Sequence, residues 1–199
     1  MFGIFGLAEA VNLLSRSGRY GHSQRANQLA YQITDQIAEL LAVRRLPYCQ
    51  GNNGVAFFHA QSGIDRDIAV TAGTRIPVGE EPDLFTHITT VAPHHEKFNA
   101  GISDIFHLES TVKNNPDAVL DIIKGAFRQG MRDFTFNLAD SQFIRVTGYL
   151  VRRSDLQTYE DERRSRYHST VLAANAVKRQ KLFQRQSRVI TSERNPGSG

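Results

Sequence analysis

Apolar residues recur at three- and four-residue steps through the first part of the chain, which is the spacing of an amphipathic helix. Residues 5–14 form a short apolar segment that turns into a helix, and a glycine-bearing loop over 17–21 ends it. Ser23 is in position to cap a second helix, and Leu46–Pro47 ends that helix because a residue before proline disfavours helical backbone. The apolar stripe of the second helix consists of Ala26, Leu29, Ile33, Ile37, Leu40 and Leu41.

The middle of the chain is richer in turn residues than in periodic apolar positions. Residues 55–58 are a strand candidate, since they are apolar and aromatic and follow the turn-rich segment 50–54. Glycine and proline then recur through residues 60–103. The pattern predicts a long irregular stretch there, of the kind that forms a functional surface or wraps another part of the fold.

A third helix is predicted to begin at Asn115–Pro116, because proline suits the first turn of a helix. Gly130 is placed to end it, and its buried face consists of Val119, Ile122, Ile123 and Phe127. Residues 133–138 alternate between polar and apolar, which predicts a strand with one buried face made of Phe134, Phe136 and Leu138.

After a polar break, residues 142–151 form a further apolar segment, and Ser154 is in position to cap the helix that follows it. Residues 168–187 have helical propensity, whereas 195–199 should be frayed. Because helices alternate with strands, the predicted class is α/β. The chain begins inside an apolar element, so we expect it to be incomplete at its start.

Composition adds that this is an ordinary globular sequence of 199 residues, with 40% hydrophobic and 22% charged side chains. No run approaches the roughly 20 apolar residues that cross a bilayer, and the expected location is the cytoplasm. Residues 151–199 carry eleven basic and five acidic side chains, so the positive net charge of the whole chain, +4, comes from this C-terminal segment. Nucleic-acid binding is not favoured, because no aromatic interleaving or binding motif accompanies these bases.

The chemistry is concentrated in Arg145-Val146-Thr147-Gly148-Tyr149. This stretch resembles the Arg-Val-(Ser/Thr/Ala)-Gly-Tyr signature of the glycyl radical enzymes, the relatives of pyruvate formate-lyase. Glycine suits a Cα radical because it has no Cβ to crowd a planar centre and tolerates backbone geometries that other residues cannot adopt. The alternative from the local sequence alone is a glycine in a tight turn between two β-branched segments.

The wider resemblance is closest to the YjjI family, and it is carried by residues 2–11, 100–108 and 145–153. It implies that the chain is the C-terminal part of a ten-stranded α/β barrel. Residues 1–138 would belong to the barrel, and 139–199 would form the glycine radical loop with a helical basic tail. In this family Gly148 would store the radical, with Arg145, Val146, Thr147 and Tyr149 forming the radical loop, and Tyr149 would pack the loop rather than transfer electrons.

The resemblance also implies partners. A separate radical-SAM activase, with its own iron–sulfur cluster and S-adenosylmethionine, would remove hydrogen from Gly148, and the radical would then oxidise a cysteine in an upstream loop. No cofactor would be bound permanently, the substrate would be a small molecule in anaerobic metabolism, and a homodimer is left open. The reaction could be acyl transfer, another lyase step or dehydration. The alternatives are a stand-alone spare part that repairs an oxygen-cleaved enzyme, and an inactive remnant acting as a binding module.

Other reactive side chains are weaker candidates. Cys49 is the single cysteine and lies downstream of where the family places its thiyl residue, so we expect a structural role for it. His94-His95-Glu96 predicts a polar loop rather than a metal site, because adjacent histidines rarely converge on one ion. His107, near Asp104 and Glu109, could face the substrate, but a hydrogen-bonded core histidine is the favoured interpretation.

Overall fold

The computed structural model describes residues 1–16, 18–60, 71–77, 79–146, 149–171 and 174. Within these residues the strands are β1 (Phe2–Gly3), β2 (Phe58–His59), β3 (Ile105–Leu108), β4 (Thr135–Leu138), β5 (Phe143–Val146) and β6 (Tyr149–Arg152). The α-helices are α1 (Leu7–Leu14), α2 (Gln24–Val43), α3 (Leu84–Val91), α4 (Pro116–Arg128) and α5 (Arg153–Glu162).

The strands pair into three separate two-stranded sheets in the described part of the chain. β1 pairs with β2 and β3 with β4, both parallel, while β5 and β6 are antiparallel neighbours. The α/β class is therefore confirmed. The described residues form no closed barrel, and the ten-stranded barrel stays a prediction.

Three apolar clusters hold these elements together. The first joins α1, α2 and the segment 71–77, and it consists of Leu7, Ala8, Val11, Tyr20, Ala26, Ala30 and Ile76. The second fixes α3 and α4 on the β3–β4 pair through Ile88, Val91, Ala92, Phe106, Ala126 and Met131. The third lies beside β2 and consists of Phe58, Ala60, Phe98 and Ile102. The helices α1, α2 and α4 are thus confirmed, but two positions of their predicted apolar stripes are not buried. Phe127 of α4 is 50% exposed, because Ala126, one position earlier, faces the β3–β4 pair. Leu40 of α2 is 64% exposed.

The structure corrects the expectation of an irregular stretch over 60–103. Helix α3 lies there, followed by a 3-10 turn over Ala92–His94. The Asp83 carboxylate accepts hydrogen bonds from the amides of Phe85 and Thr86, both at 3.1 Å, and so satisfies the first turn of α3. The strand expected over 55–58 is also shorter, since only Phe58–His59 pair.

Two predicted caps are wrong. Ser23 occupies the position before α2 but makes no side-chain hydrogen bond to the helix. Ser154 lies inside α5, which begins one residue earlier, directly after β6. Asn115, by contrast, caps α4 by accepting from the Ala118 amide at 3.2 Å.

The face predicted for β4 needs a correction as well. Phe134 and Phe136 pack against the α4 cluster but are only partly buried, whereas Asn137 is buried. A parallel strand pair is commonly covered on both faces, so its polar positions are enclosed too. Of the helix expected over 168–187, positions 168–171 and 174 are helical, and the rest lies outside the described residues.

Candidate functional site

The predicted radical motif lies on the β5–β6 hairpin. Phe143 pairs with Arg152, Ile144 with Val151, Arg145 with Leu150 and Val146 with Tyr149. Thr147 and Gly148 connect the last of these pairs in the sequence and lie outside the described residues. Arg145, Val146 and Tyr149 are described in their backbone only.

Arg153 fixes the base of the hairpin. Its amide donates to the Gln142 carbonyl at 2.8 Å, its Nε donates to the Ser141 carbonyl at 2.7 Å, and one Nη donates to the Ala139 carbonyl at 3.0 Å. These bonds join both strands of the hairpin and the start of α5 to the end of β4. These hydrogen bonds therefore hold the β5–β6 pair, which carries the motif, next to the end of β4.

The two faces of the hairpin differ in exposure. Cross-strand partners point to the same face and successive residues to opposite faces. The Ile144–Val151 pair is buried, at 3% and 4% exposure. On the opposite face Phe143 is 42% and Leu150 59% exposed, and the Arg152 guanidinium lies 5.4 Å from the Phe143 ring centroid. Phe143 and Leu150 are therefore open to solvent in this chain, although both belong to the apolar segment over 142–151.

Away from the hairpin, His94 is the centre of a buried polar group. The Tyr20 hydroxyl donates to the Thr74 carbonyl at 2.8 Å and lies 3.1 Å from His94 Nε2. On the other side of the ring, Nδ1 lies 3.1 Å from the Thr34 hydroxyl. Burial, aided by the nearby charges of Lys97 and His95, lowers the pKa of His94 to about 3. His94 is therefore neutral at physiological pH.

A second buried group surrounds Asp104. Its Oδ2 lies 3.2 Å from His87 Nε2, and its Oδ1 accepts from the Ile105 amide at 2.7 Å. Burial opposes ionisation, but His87 and Arg75 outweigh it and hold the pKa of Asp104 below its usual range. The sequence indicated neither His87 nor Arg75. The one available signal was a histidine on the apolar face of the helical pattern Leu84, Ile88 and Val91.

The remaining candidates are distributed as follows. His95 is buried, not part of a polar loop, and its Nδ1 accepts from the Arg132 amide at 3.0 Å. His107 is a partly buried residue of β3 with Asn137 opposite it. Cys49 is partly buried in a turn after α2, where its carbonyl accepts from the Gly54 amide at 2.9 Å. The described residues contain no group of three His, Cys, Asp or Glu side chains that could hold a metal ion.

Comparison with known proteins decides the family. A family model described as "Glycyl radical enzyme YjjI-like" matches residues 1–188. This chain belongs to the YjjI-like glycyl radical enzymes. It is 47% identical over 197 residues to the uncharacterized protein YjjI of Escherichia coli (strain K12), a match that covers 97% of the chain and 38% of that protein.

A second relative of this YjjI-like chain is an uncharacterized protein of Haemophilus influenzae. The two are 39% identical over 166 residues, which cover 80% of the chain and 32% of the relative. The chain thus spans well under half the length of the curated relatives it matches. Both relatives are described as uncharacterized, so the comparisons give the family of this chain and no reaction. Among the described helices, none has both the length and the apolar character needed to cross a membrane.

Proposed function

We propose that this chain supplies the radical-storing part of a YjjI-like enzyme, with Gly148 carrying the radical. The supporting observation is the coincidence of family membership with an intact Arg145–Tyr149 motif on a strand pair. Val146 and Tyr149 form the last cross-strand pair. Tyr149 directly follows Gly148 in the sequence, so the residue after Gly148 has a backbone fixed by strand pairing. A glycine next to a fixed strand can be held in one geometry, which a persistent Cα radical requires.

In the proposed scheme the radical moves by transfer of single hydrogen atoms, and each atom that leaves one group is taken up by another. On the radical-SAM activase, one electron from its iron–sulfur cluster would cleave S-adenosylmethionine to methionine and a 5′-deoxyadenosyl radical. That radical would take one hydrogen atom from Gly148 Cα and leave as 5′-deoxyadenosine. During turnover a cysteine Sγ–H would return a hydrogen atom to Gly148 Cα and leave a thiyl radical. The thiyl residue would come from the upstream family region, because Cys49 is held in a turn by the Leu46 and Gly54 backbone. The activase is the only cofactor-bearing partner this scheme needs.

The exposed face of the hairpin is evidence for our proposal that another part of the protein covers it. Phe143 and Leu150 are large apolar side chains on one face of a strand pair, and Phe2, Phe5 and Phe57 near the β1–β2 pair are also exposed. Apolar side chains that are neighbours on one face of a strand pair, as Phe143 and Leu150 are, support an interaction at that face. We propose that the region of the family that precedes this segment covers these faces and closes the barrel around the radical loop.

The test is electron paramagnetic resonance after anaerobic activation by the cognate activase. It is applied to this chain alone and to a longer protein, in which the chain is joined to the region of the Escherichia coli relative that it does not cover. We expect an organic radical signal that broadens when glycine is labelled with ¹³C at Cα. Gly148→Ala should abolish the signal, whereas Gly51→Ala should retain it, because an added Cβ at Gly51 meets no atom within 4 Å. A full signal from folded Gly148→Ala protein would contradict the proposal.

The same measurement separates the remaining roles. A radical on Gly148 excludes an inactive remnant that acts only as a binding module. Turnover restored by adding the activated chain to a cleaved enzyme would support the repair role. The small-molecule substrate and the choice among acyl transfer, lyase and dehydratase chemistry stay predictions from the family resemblance.

A further inference from the structure

The imidazole ring of His95 is enclosed by the fold, and the residue is 0% exposed. Its Nδ1 lies 3.0 Å from the Arg132 amide nitrogen, which donates a hydrogen bond to it. In the part of the chain that the structure describes, no group lies within hydrogen-bonding distance of its Nε2. Buried polar atoms in proteins are nearly always hydrogen-bonded, so this nitrogen indicates a site for a further group.

The bond from Arg132 also fixes which ring nitrogen of His95 carries the proton. A backbone amide can only donate, so Nδ1 accepts and is unprotonated. In a neutral imidazole the proton then resides on Nε2, which makes Nε2 a donor. Burial lowers the pKa of His95 and so favours this neutral ring. The group that Nε2 needs is therefore a hydrogen-bond acceptor and not a metal ion, which would need a free lone pair on that nitrogen.

A charged acceptor lies at the same edge of the parallel β3–β4 pair. Asp104 directly precedes β3, and Arg132, which holds His95, lies three residues before β4. The Asp104 carboxylate is buried, accepts from the amide of the next residue at 2.7 Å and lies 3.2 Å from His87 Nε2. A carboxylate can accept about four hydrogen bonds, so these two leave it able to accept another. Its charge also acts on His95, where it opposes the effect of burial on the pKa.

We infer that His95 and Asp104 form a binding site for one buried water molecule, which accepts from His95 Nε2 and donates to the Asp104 carboxylate. The two side chains are too far apart for a direct hydrogen bond, and a water is the usual link between polar groups at such a separation. A buried water needs at least two polar partners, and these two supply them. The water ties the turn after α3 to the start of β3, just as the bond from Arg132 ties that turn to the segment before β4.

NMR spectroscopy of the full ¹⁵N-labelled chain tests the site directly. Long-range proton–nitrogen correlation should show an unprotonated Nδ1 and a protonated, slowly exchanging Nε2 in His95. The Nε2 proton should give a cross-peak to water that has opposite signs in nuclear and rotating-frame Overhauser spectra, because this distinguishes a held water from proton exchange. His94 is the internal reference and should give no such cross-peak, since it is equally buried but both its nitrogens have protein partners, Tyr20 and Thr34.

Two matched variants test the acceptor. Asp104→Asn keeps the size of the side chain but removes its charge, and hydrogen bonds to an ionised acceptor are roughly twice as strong as neutral ones. It should therefore weaken the water cross-peak and raise the exchange rate of the His95 Nε2 proton by about tenfold. Asp133→Asn removes a carboxylate that also acts on His95 but is only partly buried, and it should leave both unchanged. Unshifted His94 resonances show that each variant keeps the fold.

Three results would overturn the inference, and none of them depends on a radical at Gly148. The first is a slowly exchanging His95 Nε2 proton that shows no contact with water. The second is a His95 ring that is protonated at Nδ1 or exchanges its proton rapidly, because either would mean that the ring is not held as described. The third is an equal response to Asp104→Asn and Asp133→Asn, which would exclude Asp104 as the acceptor.

Discussion

His94 illustrates how a single buried side chain can set the acid sensitivity of the fold. Burial, reinforced by Lys97 and His95, lowers its pKa from 6.5 to about 3. The unfolded chain takes up this proton near pH 6.5, whereas the folded protein takes it up only near pH 3. Stability is therefore present above pH 6.5 and is lost as the pH falls toward 3, by up to about 1.4 kcal/mol per pH unit.

Replacing His94 with glutamine should reduce this acid sensitivity. Between pH 6.5 and 4.5 the free energy of unfolding of the wild type should fall more than that of His94→Gln, by up to about 2–3 kcal/mol. Urea denaturation at a series of pH values measures the difference. His22→Gln, at an exposed histidine, is the control and should keep the wild-type slope. Equal slopes for the wild type and His94→Gln would contradict this assignment.

Gly73 is a second position where a single substitution should change the stability of the fold. It has a φ of +59°, and an added Cβ would lie 2.4 Å from the Ala60 carbonyl oxygen. Gly73→Ala should lower the free energy of unfolding by about 2–4 kcal/mol, through left-handed backbone strain and the clash. Gly125→Ala in α4 meets no atom within 4 Å and should raise it by about 0.5–1 kcal/mol. Thermal denaturation of both variants checks the sign.

The hydrogen-bond partners of His94 and His95 could not be predicted from the sequence. The sequence His94-His95-Glu96 predicts a polar loop, yet both histidine rings are buried. Their partners Tyr20, Thr34 and Arg132 come from distant parts of the chain. No local pattern of residues encodes such contacts, since they arise only when α2 packs against the 3-10 turn that follows α3.

At the scale of elements, helix caps give a direct comparison. Asp83→Ala should cost about 1 kcal/mol of stability, because two amides in the first turn of α3 lose their acceptor. Ser23→Ala should cost much less, since the Ser23 side chain makes no cap hydrogen bond to α2. Chemical denaturation of the two variants under identical conditions measures the difference, and equal losses would contradict the cap geometry.

Long periodic elements were predictable, and short ones were not. Helix α2 has an apolar stripe over twenty residues, and α4 begins at a proline and ends near Gly130. Helix α3 has eight residues, lies between Pro82 and Pro93, and carries His87 on its buried face, so its pattern was too short to stand out. The extent of β2 was overestimated because apolar character does not specify which residues find a pairing partner.

At the level of the whole molecule, two of the three strand pairs, β1–β2 and β5–β6, carry exposed apolar side chains, so we expect local stability to change when the chain is joined to the remaining sequence of a longer relative. Amides of β5 and β6 should exchange slowly with solvent in the longer protein and faster in this chain alone, because covering a strand pair suppresses local opening. Hydrogen–deuterium exchange followed by mass spectrometry compares the two. Amides of α2, which already packs against the first cluster, serve as the internal reference. Unchanged exchange in the hairpin would argue against the proposed cover.

The family could be reached from sequence, because the Arg145–Tyr149 motif and two further segments carried the resemblance that the family match then confirmed. The ten-stranded barrel stays a prediction from the resemblance, since the described strands form three separate pairs that give no strand order for a larger sheet. The motif likewise indicates where a radical would reside but contains no information about the substrate that the thiyl radical would attack.

Mass spectrometry of the chain after anaerobic activation and brief exposure to air is the sharpest test of the radical on Gly148. Oxygen cleaves a polypeptide at a glycyl radical, so we expect a new break at Gly148 and a released fragment that begins beyond it. The break should be absent without the activase and absent in Gly148→Ala. Cleavage at another glycine, or a chain that stays intact even within the activated longer protein, would contradict the assignment of the radical to Gly148.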